Sequence, residues 1–288
     1  MSPAPLAIVM ITLNEGHNMR SVLDNVTPWA EEVWIVDSYS RDDTVSIALE
    51  YGANVVQRRF RGFGDQWNFA LRELPVKAEW TMKLDPDERL ADELKQSIEA
   101  NISDDTCDGM WLVRRLWFMG RPLGVKQKIL RVWRTGRAHF TDVAVNEHPI
   151  VEGNTIEVSG EMEHRDSPDL DHWLAKQNSY STAEAIIAHQ KGDLAAEPKL
   201  LGTPLERRMW IKRNFYHFPF RYLALFLYSY FITGAFRAGK AGYMWARLRV
   251  DIKRHTEYKI KEITMTGQLP EKRLGGSGEI DGRVRQFD

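Results

Sequence analysis

Cysteine is almost absent from this 288-residue chain. A single thiol, Cys107, excludes an intrachain disulfide framework and suits a reducing cytoplasm; no Cys/His ligand set accompanies it, so it reads as structural. Net charge is equally scarce, and a formal −1 at pH 7 argues against a general nucleic-acid binder. No basic leader precedes the apolar start "PLAIVMITL", so no signal peptide is expected. Long apolar runs are lacking too. The stretch 215–236 is interrupted by His217, Pro219 and Arg221, leaving about fifteen uncharged residues, below the roughly 20 that a spanning helix needs.

The remaining composition, 43% hydrophobic and 27% charged, is that of an ordinary globular protein, and the length suits one domain with an appendage. In the first half, strand-like runs alternate with helix-like ones: "LAIVMITL", "EVWIVDS", "ANVVQRR" and "EWTMKL" are separated by "EGHNMRSVLDNV", "DDTVSIALEYG" and "FGDQWNFALREL". This is a βαβ series that predicts an α/β fold with a mostly parallel sheet. Two nucleotide signatures common in such folds are missing. The turn after the first strand, Thr12-Leu13-Asn14-Glu15-Gly16-His17-Asn18, holds one glycine instead of Gly-x-Gly-x-x-Gly, and Gly-Lys-Ser/Thr occurs nowhere.

The chain is organised around residues 80–90, "WTMKLDPDERL", where an apolar run ends in three crowded carboxylates, Asp85, Asp87 and Glu88. Carboxylates so close repel one another unless a cation sits between them, and a hard divalent ion is the usual one. A strand ending here would release Asp85 and Asp87 at its carboxyl end, where α/β sheets bind ligands. The alternative is a solvated turn that starts the helix "ADELKQSIEA". Thr12, Asn14 and Glu15 at the end of the first strand and Asp37 at the end of the second would share that edge. Their side chains suit a base and ribose, although Asn14 and Asp37 could equally cap the following helices.

"IVMITLNEGHNM", "VWIVDSYSRDDT", "RGFGDQWNFAL" and "MKLDPDERL" resemble, in order, the motifs of family 2 glycosyltransferases, the inverting sugar-nucleotide enzymes of the GT-A fold, and most closely those of bacterial lipopolysaccharide-core, capsule and exopolysaccharide assembly. The resemblance implies a GT-A-like domain over 1–200; beyond it, the residues themselves suit membrane-associated amphipathic helices over 201–263 and a Gly-rich, charged flexible tail over 264–288. The resemblance also implies that Thr12, Asn14, Glu15, Asp37, Gln66 and Asp85 hold the nucleotide of a UDP-sugar. Asp85 and Asp87 would bind Mn²⁺ or Mg²⁺, and His164 in "EMEHRDS" resembles a late histidine that completes the metal shell. One departure is visible: where relatives have Arg-Asn after the third strand, this chain has Trp67-Asn68, so another cation is expected to replace that arginine.

Inverting displacement needs a base for the acceptor hydroxyl's proton and a metal for the leaving diphosphate. Glu147, in Asn146-Glu147-His148-Pro149, is the expected base; no Glu-Asp pair offers itself in this region. Arg131, Arg134 and His148 are candidates for acceptor or phosphate contacts, the alternative for both arginines being a solvated strand face. Further on, "DLDHWLAKQNSYSTAEAIIAHQKG" predicts an amphipathic helix with Trp173, Leu174, Gln177, Tyr180 and Ser181 near one face.

Between residues 205 and 262, thirteen Lys or Arg face four Asp or Glu, and the same region is rich in aromatics. Basic clusters bracketing 215–236 suit a helical hairpin resting on an anionic membrane surface, with Tyr and Trp at headgroup level. The alternatives are a helix buried against the catalytic domain or an oligomer interface. The sequence as a whole reads as an inverting, metal-dependent sugar transferase acting on a lipid-linked glycan at the cytoplasmic face of the cell membrane. A polyprenyl-phosphate sugar synthase and a non-catalytic membrane scaffold are its rivals.

Overall fold

The computed structural model describes residues 3–104, 106–141, 148–189 and 197–270. It divides into two compact units: one is formed by residues up to Pro122 with Lys126–Pro168, the other by Leu123–Val125 and the residues from Asp169 onward.

The first unit is built on an eight-stranded sheet. Its strands are β1 (Ala4–Thr12), β2 (Ala30–Asp37), β3 (Asn54–Gln57), β4 (Trp80–Lys83), β5 (Glu88–Leu90), β6 (Gly109–Phe118), β7 (Arg121–Arg134) and, after a separate two-stranded ladder of β8 (Ala138–Phe140) with β9 (Pro149–Val151), β10 (Thr155–His164). The sheet runs in the order β3-β2-β1-β4-β7-β6-β10-β5. The first four strands are mutually parallel, as the βαβ pattern predicts, while β7 runs antiparallel to β4 and β6, and β5 antiparallel to β10.

Leu6 to Met10 of β1 are buried on both faces, which is why that strand reads as one apolar run instead of alternating. One face is covered by α1 (Gly16–Val26), α2 (Thr44–Glu50) and α4 (Asp92–Asp104), and the other by α3 (Phe63–Glu73). Helix α1 buries Met19, Val22, Leu23 and Val26, the i, i+3, i+4, i+7 stripe of a helix with one apolar side. Gly160, at φ +90°, lies where β10 slips register against β6. A Cβ there would fall 2.5 Å from the Leu94 nitrogen, so a bare backbone is what lets α4 pack so close. In the β1/β2/β3 register, Thr12 is opposite Asp37 and Asp37 opposite Gln57, which brings the polar strand ends to a common edge.

The second unit is helical: α5 (Leu170–His189), α6 (Pro204–Asn214), α7 (Arg221–Leu227) and α8 (Lys240–Thr266), with short 3₁₀ and π turns between the last two. Helix α6 starts at a capping box, in which Thr203 Oγ1 accepts from the Glu206 amide and Glu206 Oε2 accepts from that of Thr203. Helices α5 and α8 are joined by Lys253 on Glu184 at 2.7 Å and by Lys259, whose ammonium donates to Asn178, Ser181 and Thr182. The face α5 buries is Trp173, Ser181 and Ala185, whereas Leu174 and Tyr180, expected on it, are exposed. Leu174 directly follows buried Trp173 and Tyr180 directly precedes buried Ser181, each a step of about 100° around the helix from its buried neighbour.

The stretch 215–236 is broken into pieces: Phe215–His217, Arg221–Leu227, Tyr228–Ile232 and the start of Ala235–Ala238. Pro219 and Gly234, together with Phe220 in the left-handed region, account for the interruptions. Among the described residues no helix is long and apolar enough to cross a membrane. The predicted tail begins inside α8, which continues to Thr266 and ends at Gly267; residues 271–288 lie outside the described residues.

Candidate active site

The carboxylates after β4 are not a solvated turn. Glu88 is fully buried and Asp87 nearly so, because Glu88 opens strand β5 and pairs in register with His164 of β10. Glu88 Oε1 accepts from Arg114 Nη1 at 3.0 Å and Arg131 Nη2 at 2.7 Å, while its Oε2 accepts from the Asp85 amide at 2.9 Å. Asp85 Oδ2 takes the same Arg131 nitrogen at 2.7 Å, and its Oδ1 lies 3.8 Å from Lys83 Nζ. Burial alone would raise the Asp85 pKa, but Arg131 and then Lys83 outweigh it and hold this carboxyl well below the usual range. The same carboxylates raise the Arg131 guanidinium despite its burial. Arg131 is therefore no solvated strand residue; it is 5% exposed and is the central cation of the cluster.

Asp87 faces a different set of groups. Its Oδ2 is 3.2 Å from His164 Nε2, which is in turn 4.0 Å from Asp166 Oδ1. The placement follows from β10, whose end is pinned when the Arg165 amide donates to the Asp87 carbonyl at 2.8 Å, leaving His164 and Asp166 on either side. One ligand atom from each of Asp87, His164 and Asp166 lies within 4.8 Å of the others. Two carboxylates and an imidazole suit Mn²⁺ or Mg²⁺, and the buried His164 Nδ1 has no hydrogen-bond partner among the described residues. Burial lowers the His164 pKa, but Asp87 outweighs it and raises the imidazole above its ordinary value. Asp87 and His164, two of the three expected metal ligands, thus lie together with Asp166, whereas the third, Asp85, is engaged by Arg131 and Lys83.

The strand-end residues form one hydrogen-bonded network. Asp37 accepts from Thr12 Oγ1 at 3.0 Å, from the Ser40 amide at 2.9 Å, from the Ser40 hydroxyl, and from Gln57 Nε2 at 2.9 Å. Asn14, in the left-handed region, donates its amide to Ser40 and accepts from the Arg41 amide; the Glu15 amide donates to Thr44, and the Glu15 carboxylate accepts from Asn18. Gln66 is buried between Arg58 Nη1 at 2.7 Å and Ser38 Oγ at 3.3 Å. Neither Asn14 nor Asp37 caps a helix, since the cap positions fall at Glu15 and Asp43.

The two predicted strand arginines part company. Arg134 sits opposite Trp80 at the start of β4, stacked on its ring at 4.7 Å and 3.6 Å from Asp108, at the end of the strand away from Asp85. His148 is exposed, and its amide donates to Thr141 Oγ1 at 3.3 Å. Glu147 lies outside the described residues. Cys107 is buried and its thiol is pushed up by that burial and by Asp108, consistent with an unreactive structural residue. Sequence reasoning missed Arg114, Asp166, Ser40, Gln57 and Arg58; only Asp166, two residues past His164, left a local signal.

A sheet with nucleotide-type polar ends on one edge and a carboxylate–imidazole cluster beside them is the GT-A arrangement of a glycosyltransferase. Residues 7–149 match the family described as "Glycosyl transferase family 2", and this match, the relatives and the fold together support a family 2 glycosyltransferase. It is 28% identical over 254 residues to the "Lipopolysaccharide core biosynthesis glycosyltransferase LpsC" of Rhizobium meliloti (strain 1021), covering 84% of this chain and 86% of that one. An "Uncharacterized glycosyltransferase" of Rickettsia bellii is 26% identical, with 80% and 78% covered. Among solved structures, the mannosyltransferase PcManGT from Pyrobaculum calidifontis, in complex with GDP-Man and Mn²⁺, shares the fold at a TM-score of 0.52 and 16% identity, over 91% of this chain and 89% of that one.

Proposed function

We propose that this chain transfers a sugar, with inversion, from a UDP-sugar to a lipid-linked glycan in bacterial surface polysaccharide assembly of the lipopolysaccharide-core kind. The observation that carries this reading is the Asp87–His164–Asp166 cluster at the sheet edge beside Asp85. Likeness to LpsC supports the acceptor class.

Asp87, His164 and Asp166 would hold Mn²⁺ or Mg²⁺, which when bound supplies positive charge to the departing diphosphate. The network of Thr12, Asn14, Glu15, Asp37 and Gln66 orients the nucleoside. Asp85, kept ionised by Arg131 and Lys83, is poised to accept a hydrogen bond from a donor hydroxyl. Glu147 takes the acceptor proton. Phe220, Leu223, Phe231 and Ile232, between 54% and 81% exposed, and exposed Arg213, Arg237, Lys240 and Arg247 are of the apolar and basic kinds that a cytoplasmic anionic leaflet would attract.

The test is turnover of a panel of nucleoside-diphosphate sugars with Mn²⁺, Mg²⁺ or EDTA, with and without lipid-linked core oligosaccharides. Metal-dependent release of nucleoside diphosphate, accelerated by acceptor, is expected. No turnover with any donor under any metal condition overturns the reading.

A further inference from the structure

Lys83 is out of keeping with its surroundings. Along β4, Trp80 and Met82 enter the larger core, so Thr81 and Lys83 point to the α3 side, where Val9, Val36, Trp67, Ala70, Trp133 and Phe140 form a second apolar cluster. A lysine only 9% exposed among such residues costs free energy unless its charge is used.

Two aromatic rings and a carboxylate are among the groups around the ammonium. It lies 4.2 Å from the centre of the buried Trp67 ring, 5.5 Å from that of Phe140, and 3.8 Å from Asp85 Oδ1. The two rings stack at 5.6 Å, and Asn68 clamps Phe140 from both sides of its backbone, donating to its carbonyl and accepting from its amide at 2.9 Å each. Aromatic faces orient a cation without discharging it. Asp85 is bound far more closely by Arg131, at 2.7 Å, so its contact with Lys83 is the looser of the two. The tryptophan that displaces an expected arginine from α3 thus provides the platform on which a lysine from β4 stands.

We propose that Lys83 binds the diphosphate of the sugar donor, its ammonium passing from Asp85 to a phosphate oxygen while Trp67 and Phe140 hold the side chain in place. A compact ammonium with three donors suits a phosphate oxygen, and its position at the last residue of β4 puts it on the edge that carries Asp85 and Asp87. This inference rests on the donor reading above and adds a cation that acts with or without the metal.

The experiment is calorimetric titration of wild type, Lys83→Met and Lys83→Arg with UDP and with uridine, each in EDTA and in Mn²⁺. Lys83→Met should weaken UDP by about 10–100-fold in both conditions and leave uridine unchanged, with Lys83→Arg recovering part of the loss. Equal loss for UDP and uridine, or no loss for either while wild type binds UDP, overturns the proposal and leaves the donor reading standing. Failure of wild type to bind UDP, GDP or any other nucleoside diphosphate overturns the donor reading itself. Should Lys83→Met not fold, lysine-selective NMR of wild type decides: the Lys83 ε-methylene signal, shifted upfield by the Trp67 ring, should move with UDP and not with uridine. A signal indifferent to UDP overturns the proposal.

Discussion

At the end of β4 the protein hides charge; between α6 and α8 it displays apolar surface. Asp87, Glu88, Arg89 and Arg131 are all under 10% exposed, whereas Phe220 and Ile232 are 81% and 75% exposed. Both reverse the ordinary partition of side chains, which costs free energy unless it is compensated. Where the reversal is compensated internally, as by Arg131 on Asp85 and Glu88, it marks a constructed site. Where it is not, as at Leu223 and Phe231, apolar side chains stay exposed.

The comparison breaks first at Asp87. Asp87→Ala should abolish transfer, by about 10³-fold or more, together with the metal-dependent part of nucleoside-diphosphate affinity, because the ion's charge is worth several kcal/mol to the leaving group. Thermal unfolding should show the variant folded. If Mn²⁺ strengthens UDP binding as much in the variant as in wild type, the buried charges are structural. Glu147→Gln comes next. Donor affinity should hold while the transfer rate falls by about 10²–10⁴-fold, the contribution of a positioned base. An equal fall in donor affinity would assign Glu147 to binding instead.

On the apolar side, replacing Leu223, Phe231 and Ile232 together by Ser should lower partitioning onto anionic vesicles by about 10²-fold, at roughly 1 kcal/mol or more for each side chain withdrawn. Flotation at low and high salt measures it. Wild-type binding should favour anionic over zwitterionic vesicles and weaken without vanishing in salt, as the basic side chains are screened and the apolar ones are not. Wild type that stays with the soluble fraction in every lipid mixture would make this surface a contact with protein.

How much of this was legible follows the range of the contacts. The first four strands and the position of Asp85 and Asp87 depend on local apolar runs ended by Pro and Asp, and a sequence displays those directly. The ion pairs of Glu88 do not: Arg114 and Arg131 reach it from β6 and β7, 26 and 43 residues away, through pairings that no local pattern encodes. The Asp37 network depends likewise on Gln57, 20 residues on. Gln57 is visible only once β2 and β3 are known to be neighbours. In the helical unit, Pro219 announced a broken stretch while the break at Gly234 went unread, and which face of α5 is buried depended on how α8 packs along it.

The smallest effect tests whether the helical unit also uses buried charge, which would soften the contrast. Among the described residues there, Glu257 on α8 is the exception: 7% exposed, it accepts from Arg221 and Lys261 at 2.7 Å and from the Tyr222 hydroxyl. Burial pushes its carboxyl up, but the bonds from Lys261, Tyr222 and Arg221 outweigh that and hold it at about 2, against an ordinary value of 4.5. A depressed carboxylate stabilises the fold above its unfolded value and loses that contribution as pH falls toward the folded one. Glu257→Gln should therefore lower Tm by about 2–4 °C at pH 7, with the gap to wild type constant down to about pH 5 and narrowing below 4.5. Melting curves for both proteins across pH 3 to 7 decide it. A gap that persists undiminished at pH 3 would mean that Glu257 contributes by packing, and the contrast between a unit that buries charge and one that shows apolar surface would stand without exception.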